Sequence, residues 1–188
     1  MSDILLVRHA STSWSGRRYC GRSDPPLSDA GRREAATLAA TLIGELPRDS
    51  RVVTSPSRRA RQTADAIAAA AQLATPEVEV RWMEADFGVV EGRTFDELGA
   101  AHPDLAEAIL AGTTAVDWPG GETASAFATR IAAAWLAATT ASRPTIVVSH
   151  AGPIRLALTF AGRPPDDPVG LAPATAIRVP MGVALRTP

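Results

Sequence analysis

The run Ile4-Leu5-Leu6-Val7 stops abruptly at Arg8-His9-Ala10, and that change of character constrains the fold more than any other stretch of the chain. Four aliphatic residues are too few to span a membrane and suit a buried central strand. The strand-like run Arg51-Val52-Val53-Thr54 likewise ends in Ser55-Pro56, and Thr145-Ile146-Val147-Val148 ends in Ser149-His150-Ala151-Gly152. Strands alternating with helical stretches imply an α/β architecture, in which the ligand crevice lies outside the carboxyl ends of the strands. Arg8, His9 and His150 are therefore placed to meet a ligand. A single Arg-His pair is equally what a strand re-entering water would show.

Between these strands the apolar spacing is helical. Ser28 can cap a stretch in which Ala35, Leu38, Ala39, Leu42, Ile43 and Leu46 share one face. A second helix is expected from about Pro56 or Ser57, with Ala60, Ala64, Ile67, Ala68 and Ala71 as its stripe. Its first turns carry Arg58, Arg59 and Arg61, which oppose the helix dipole unless an anion offsets them. Arg58 and Arg61 read as a solvated basic face, whereas Arg59 is differently phased and can reach the crevice. Val78-Glu79-Val80 reads as a third strand. The segment from Trp82 to Gly92 then sets Glu84, Asp86 and Glu91 among apolar residues without a regular period. Burial raises a carboxyl pKa into the range useful for proton transfer, so a general acid is expected here.

Residues 95–110 read as two short helical pieces around Pro103 with His102 exposed, and 83–121 as an insertion over the crevice. Glu122 and Thr123 open a helix with Ala124, Phe127, Ala128, Ile131, Trp135 and Ala138 as its core stripe. The helix after His150 carries Ile154, Leu156, Ala157, Leu158 and Phe160, with Arg155 off that stripe. Thr175–Val179 and Val183–Leu185 are expected to pair as terminal strands. The polar loop after His9 holds hydroxyls and Arg17, Arg18 and Arg22, which serve an anion or face solvent; Thr12 stands out by its closeness to His9.

A chain of 188 residues suits one domain, 1–188, with one insertion. The formal net charge of -1 gives no basic field for nucleic acid or an anionic membrane surface. All 19 basic residues are Arg and none is Lys, which removes Schiff-base chemistry and the P-loop lysine and leaves phosphate binding to Arg. Cys20 is the single cysteine, so no intrachain disulfide is available, and a reducing cytoplasm is the expected compartment. No window resembles a signal peptide or membrane span, and no metal-ligand spacing is evident.

Four segments together, Leu6-Val7-Arg8-His9-Ala10-Ser11-Thr12, Ser55 to Ala64, Met83-Glu84-Ala85-Asp86-Phe87-Gly88 and Ser149-His150-Ala151-Gly152, resemble the histidine phosphatase superfamily, which includes the cofactor-dependent phosphoglycerate mutases. The resemblance implies a three-layer α/β/α sandwich with a mostly parallel central sheet, phosphoglycerate mutase-like, and no cofactor or metal. It implies that His9 becomes phosphohistidine, that Arg8 and Arg59 hold the phosphoryl oxygens, that a protonated His150 completes the pocket, and that Glu84 is the acid/base, with Asp86 as its alternative. Further phosphate or substrate contacts are expected from Thr12, Ser15, Gly21 and Ala151. Arg155 is either a group-specific ligand or a salt-bridged helix residue. The chain departs from the family pattern at Ala10, where Gly is usual, at Ser11, where Glu is usual, and at Ser15, where Asn often stands. Cys20 to Leu27, Met83 to Gly88, Pro119 to Thr123 and His150 to Arg155 are most similar to the α-ribazole phosphatase and broad-specificity phosphatase group.

The expected function is metal-independent hydrolysis of a small phosphorylated metabolite by a cytoplasmic monomer or homodimer. A phosphoglycerate mutase and a catalytically weak phosphoester-binding module are the alternatives.

Overall fold

The computed structural model describes residues 3–110, 116–164 and 171–180. Strands β1 (Ile4–Arg8), β2 (Arg51–Thr54), β3 (Glu77–Val78), β4 (Thr145–Ser149) and β5 (Ala176–Val179) form one sheet in the order β3-β2-β4-β1-β5. β1 to β4 are mutually parallel where they pair, and β5 runs antiparallel to β1. Central strands buried on both faces need continuous apolar runs, and Ile4–Val7 of β1 and Ile146–Val148 of β4 supply them.

Alternation along the strands sorts the core into two layers. Leu5, Val7, Val52, Ile146 and Val148 pack against α1 (Asp29–Leu42) and α2 (Arg58–Ala71). Ile4, Leu6, Val53 and Val147 face α5 (Ala124–Thr139) and α6 (Ala151–Phe160), with Trp82 between them. This is the expected three-layer α/β/α sandwich. Two short helices, α3 (Phe95–Ala101) and α4 (Pro103–Leu110), gather a smaller cluster of Val90, Leu98 and Ala106 with Tyr19, Phe87 and Trp118 against it.

Three expectations are corrected. The first helix ends at Leu42 rather than continuing through Leu46: Gly44 takes φ +89, Ile43 is 54% exposed, and Leu46 reaches the core from the following turn. The third strand is Glu77–Val78 alone, because the Glu79 carboxylate accepts from Arg81 N–H and starts a 3-10 turn over Val80–Trp82. His102 is half-buried, held between its N–H bond to Leu98 O and the bond its carbonyl receives from Ala106. Ala176–Val179 pairs with β1, and the expected partner Val183–Leu185 lies outside the described residues.

Candidate active site

Parallel pairing of β1 with β4 sets Arg8 opposite Ser149, so the two strands deliver His9 and His150 side by side. Their rings lie 5.1 Å apart at 64°. His9 is fixed by its N–H bond to Ser149 O (2.9 Å), and His150 is the N-cap residue of α6. Both are buried, at 7% and 1% exposure.

Arg59, in the first turn of α2 and 1% exposed, ties the two rings together. Its Nε donates to His9 Nε2 (3.2 Å) and its Nη2 to His150 Nδ1 (3.1 Å). A guanidinium can only donate, so both of these ring nitrogens carry lone pairs. The remaining nitrogen of each ring then bears the proton: His9 Nδ1 donates to Ala10 O (2.8 Å) and His150 Nε2 donates to Ser55 Oγ (2.8 Å), with Ser57 Oγ at 3.3 Å. Burial first, then Arg59, lowers the His9 pKa to about 3 against the hydrogen bond to Ala10, with Arg8 adding a smaller push. Burial, Arg59, His9 and Arg8 likewise hold His150 well below the ordinary histidine value. These shifts and the bond from Arg59 favour a neutral His150 here, because the nearby guanidinium groups already carry the positive charge.

Arg8 donates through Nη1 to Leu171 O, while its buried Nε has no partner among the described residues. Burial lowers its pKa, with Glu84 opposing and Arg155 and Arg59 adding to the shift. A buried guanidinium donor without an acceptor is costly, and it suits a site built to receive oxyanions.

Glu84 follows the 3-10 turn and is 8% exposed. Its carboxylate accepts from Gly152 N–H (3.2 Å) and Ala85 N–H (3.1 Å). Burial raises its pKa, opposed by those two amides and then by Arg59 and Arg8. The backbone beneath it is braced by Arg130, whose Nη1 donates to Arg81 O and Met83 O, both at 2.8 Å, and which pairs with Glu122 at 2.6 Å. Ser149 Oγ completes the brace by donating to Trp82 O (2.7 Å). Asp86 is occupied elsewhere, accepting from Gly88 N–H (2.9 Å) within its own turn.

The other sequence-derived residues fall into distinct places. The buried Ala10 packs its methyl with Leu27 and Ala35, and its N–H donates to Thr63 Oγ1 (3.1 Å). Ser11 binds the Glu34 carboxylate through N–H and Oγ. Thr12 and Ser15 close a turn on each other, with Thr12 N–H donating to Ser15 Oγ (2.9 Å) and Trp14 N–H to Thr12 Oγ1 (3.1 Å). Gly21 O accepts from Arg59 Nη2 (2.8 Å). Ala151 begins α6, and Arg155 on the same helix is exposed. Arg58 and Arg61 are exposed, and Asp24 accepts from Arg58 N–H (2.6 Å), an internal anion at the start of α2. Sequence reasoning passed over Ser55 and Ser57 as orienting groups, Arg130 and Glu122 as the brace, and Gly152. Ser55, Ser57 and Gly152 lie inside segments that carry the family resemblance, while no spacing rule links Arg130 to residues 81–84.

The arrangement offers an imidazole lone pair, two guanidinium groups and a carboxyl whose pKa burial raises, a set suited to phosphoryl transfer. The family model for the histidine phosphatase superfamily (branch 1) matches residues 4–178. A protein of Erwinia tasmaniensis named for phosphoglycerate mutase is 34% identical over 157 residues, covering 80% of this chain and 70% of that protein. A solved mycobacterial glucosyl-3-phosphoglycerate phosphatase aligns over 95% of this chain and 90% of its own, with TM-score 0.79 and 27% identity. An Escherichia coli K-12 structure named for an alpha-ribazole-5'-P phosphatase aligns over 88% and 82%, with TM-score 0.73 and 26% identity. Against other curated relatives the match spans as little as 52% or 43% of their length. No helix among the described residues is long and apolar enough to cross a membrane.

Proposed function

This chain belongs to the histidine phosphatase superfamily, and from that premise we propose that it hydrolyses a small phosphomonoester through a phosphohistidine on His9. One observation carries the reading: Arg59 fixes His9 as the neutral Nδ1–H tautomer, with the Nε2 lone pair turned toward the guanidinium groups. In the first step Nε2 bonds to phosphorus as the ester P–O bond breaks, and Glu84 gives its proton to the leaving alkoxide. The positive charge arising on the ring is relieved through Nδ1–H and Ala10 O. In the second step Glu84, now a carboxylate, takes a proton from water as the water oxygen bonds to phosphorus and the N–P bond breaks. Arg8 and Arg59 supply the charge that stabilises the equatorial oxygens, so no metal is required. Residues 83–121 act as a cap over this centre, and Arg155 contributes to the choice of substrate.

Within this reading α-ribazole 5'-phosphate is the first substrate to try, on the motif likeness and the Escherichia coli neighbour. The decisive experiment is steady-state hydrolysis, with chelator present, of p-nitrophenyl phosphate, α-ribazole 5'-phosphate and 3-phosphoglycerate. Turnover is expected in the wild type and its loss in His9→Ala with the fold intact; full activity in that variant refutes the reading. The 34% identity to a protein named for phosphoglycerate mutase favours a second reading, for which conversion of 3- to 2-phosphoglycerate in a coupled assay is the test.

A further inference from the structure

Glu91 lies apart from the groups given a chemical role above, yet its carboxylate is the most heavily bonded among the described residues. It accepts from Gly21 N–H (3.2 Å), Arg22 N–H (2.6 Å), Ser23 N–H (3.2 Å) and Phe87 N–H (3.3 Å). Three successive amides turned toward one point form an anion-binding nest, and here the anion is a side chain of the protein itself. Among the described residues every hydrogen-bond partner of this carboxylate is a backbone amide. Gly21 is what allows the approach, because a Cβ there would lie 2.4 Å from Glu91 Oε1 and 2.3 Å from Ala85 O.

The opposite side of the same loop faces Arg59. Ser23 O accepts from its Nη1 (2.6 Å), while Gly21 O (2.8 Å) and Cys20 O (3.3 Å) accept from its Nη2. Loop 20–23 is thus held between an anion on its amide side and a cation on its carbonyl side. The peptide dipoles run from Glu91 to Arg59, so each charge strengthens the hold of the other. The Arg59 guanidinium fixes both imidazoles, so its place depends on this loop.

We propose that Glu91 is a positioning residue for phosphoryl transfer: its carboxylate fills the amide nest of residues 21–23 and so sets the carbonyls that orient Arg59 against His9 and His150. The inference rests on the phosphatase reading above and adds to it a residue that never meets substrate.

The test compares Glu91→Ala and Glu91→Gln with the wild type on p-nitrophenyl phosphate. Both variants are expected to lose about tenfold or more in kcat, since misplacing a catalytic group by roughly 1 Å costs on the order of 100-fold and Arg59 keeps its contacts to the two rings in part. Glutamine fails although it is isosteric, because its NH2 faces N–H donors. Sodium formate, against sodium chloride at equal ionic strength, is expected to restore Glu91→Ala by occupying the emptied nest and to leave Glu91→Gln unchanged. Glu91→Gln within twofold of the wild type overturns the proposal, as does a folded Glu91→Ala that formate does not rescue. If Glu91→Ala fails to fold, the kcat of Glu91→Gln decides. If the wild type hydrolyses no phosphomonoester, the phosphatase reading fails on its own, and ring-nitrogen NMR of His9 and His150 then judges Glu91. Resonances that shift in Glu91→Ala and return with formate support the positioning role, and unmoved resonances refute it.

Discussion

Gly152→Ala tests the placement of the acid without touching its chemistry. Gly152 lies in the first turn of α6, and a Cβ there would sit 2.3 Å from Glu84 Oε1, with Glu84 Cδ and Phe127 Cζ each at 3.3 Å. Non-bonded atoms rest at about 3.5 Å or beyond, so the carboxyl must retreat by roughly 1 Å and weaken its bond to the Gly152 amide. A misplacement of that size costs on the order of 100-fold in rate. The fold should tolerate it. Alanine gains about 1 kcal/mol over glycine in a helix, comparable to the roughly 0.5–1.5 kcal/mol for forcing Glu84 off its rotamer. The assay is kcat/KM, which reports transfer to His9, for p-nitrophenyl phosphate beside an alkyl phosphate such as β-glycerophosphate. Nitrophenolate leaves without a proton, whereas an alkoxide needs one, so the loss should fall mainly on the alkyl ester. Equal losses on both esters, or an alkyl-ester rate within twofold of the wild type, would refute the placement of Glu84 as the acid.

Three further outcomes follow from the same geometry. Glu84→Gln removes a carboxyl whose pKa burial raises, so the variant should lose alkyl-ester turnover at pH values below that raised pKa, where the wild type holds its proton, and melt higher than the wild type above it, checked by calorimetry. Arg130→Met leaves the half-buried Glu122 carboxylate without its 2.6 Å partner and the carbonyls of Arg81 and Met83 without a donor. It should cost about 1–3 kcal/mol in urea unfolding and lower kcat through the drift of Glu84. His9 is depressed from 6.5 to about 3 in the folded chain, so the unfolded chain takes up its proton first. The resulting stability is fully present above pH 6.5 and is lost as pH falls toward 3. His9→Asn should therefore show a shallower loss of stability between pH 6.5 and 4 than the wild type, and parallel curves would contradict the buried neutral ring.

Much of the fold was legible because its strands are short apolar runs with abrupt polar ends. The register that sets Arg8 opposite Ser149 turns that linear pattern into a paired site. Arg59 was legible from its phase on α2, since its neighbours Arg58 and Arg61 leave the same turn toward water. What stayed hidden depends on contacts between distant segments. Ala10 stood out as a departure from the family's usual Gly, yet its methyl packs into a small cluster with Leu27 and Ala35. Thr12 read as a phosphate contact from its closeness to His9 and Ser15 from the family resemblance, but each supplies a hydroxyl to the backbone of their own turn. Glu91 shared a stretch with Glu84 and Asp86, and only the approach of loop 20–23, about seventy residues earlier, separates an acid in the site from a carboxylate inside a nest.

The charge state of the centre follows from one donor serving two rings. Arg59 places its N–H groups on His9 Nε2 and His150 Nδ1, which forces opposite tautomers on chemically identical side chains. His150 turns its proton away to Ser55 and keeps a lone pair toward Arg59, so it gives a phosphoryl oxygen no positive charge of its own in this state. An incoming dianion changes that balance: it competes with both imidazoles for the guanidinium and lowers the cost of protonating His150. Substrate binding and proton uptake at His150 should therefore be linked. For an inorganic phosphate or vanadate complex, calorimetry in buffers of different ionisation enthalpy should show a proton taken up near neutral pH and lost in His150→Asn. Binding with the same proton count in both proteins would show that the ring stays neutral throughout, leaving Arg8 and Arg59 as the sole cations on the transferring group.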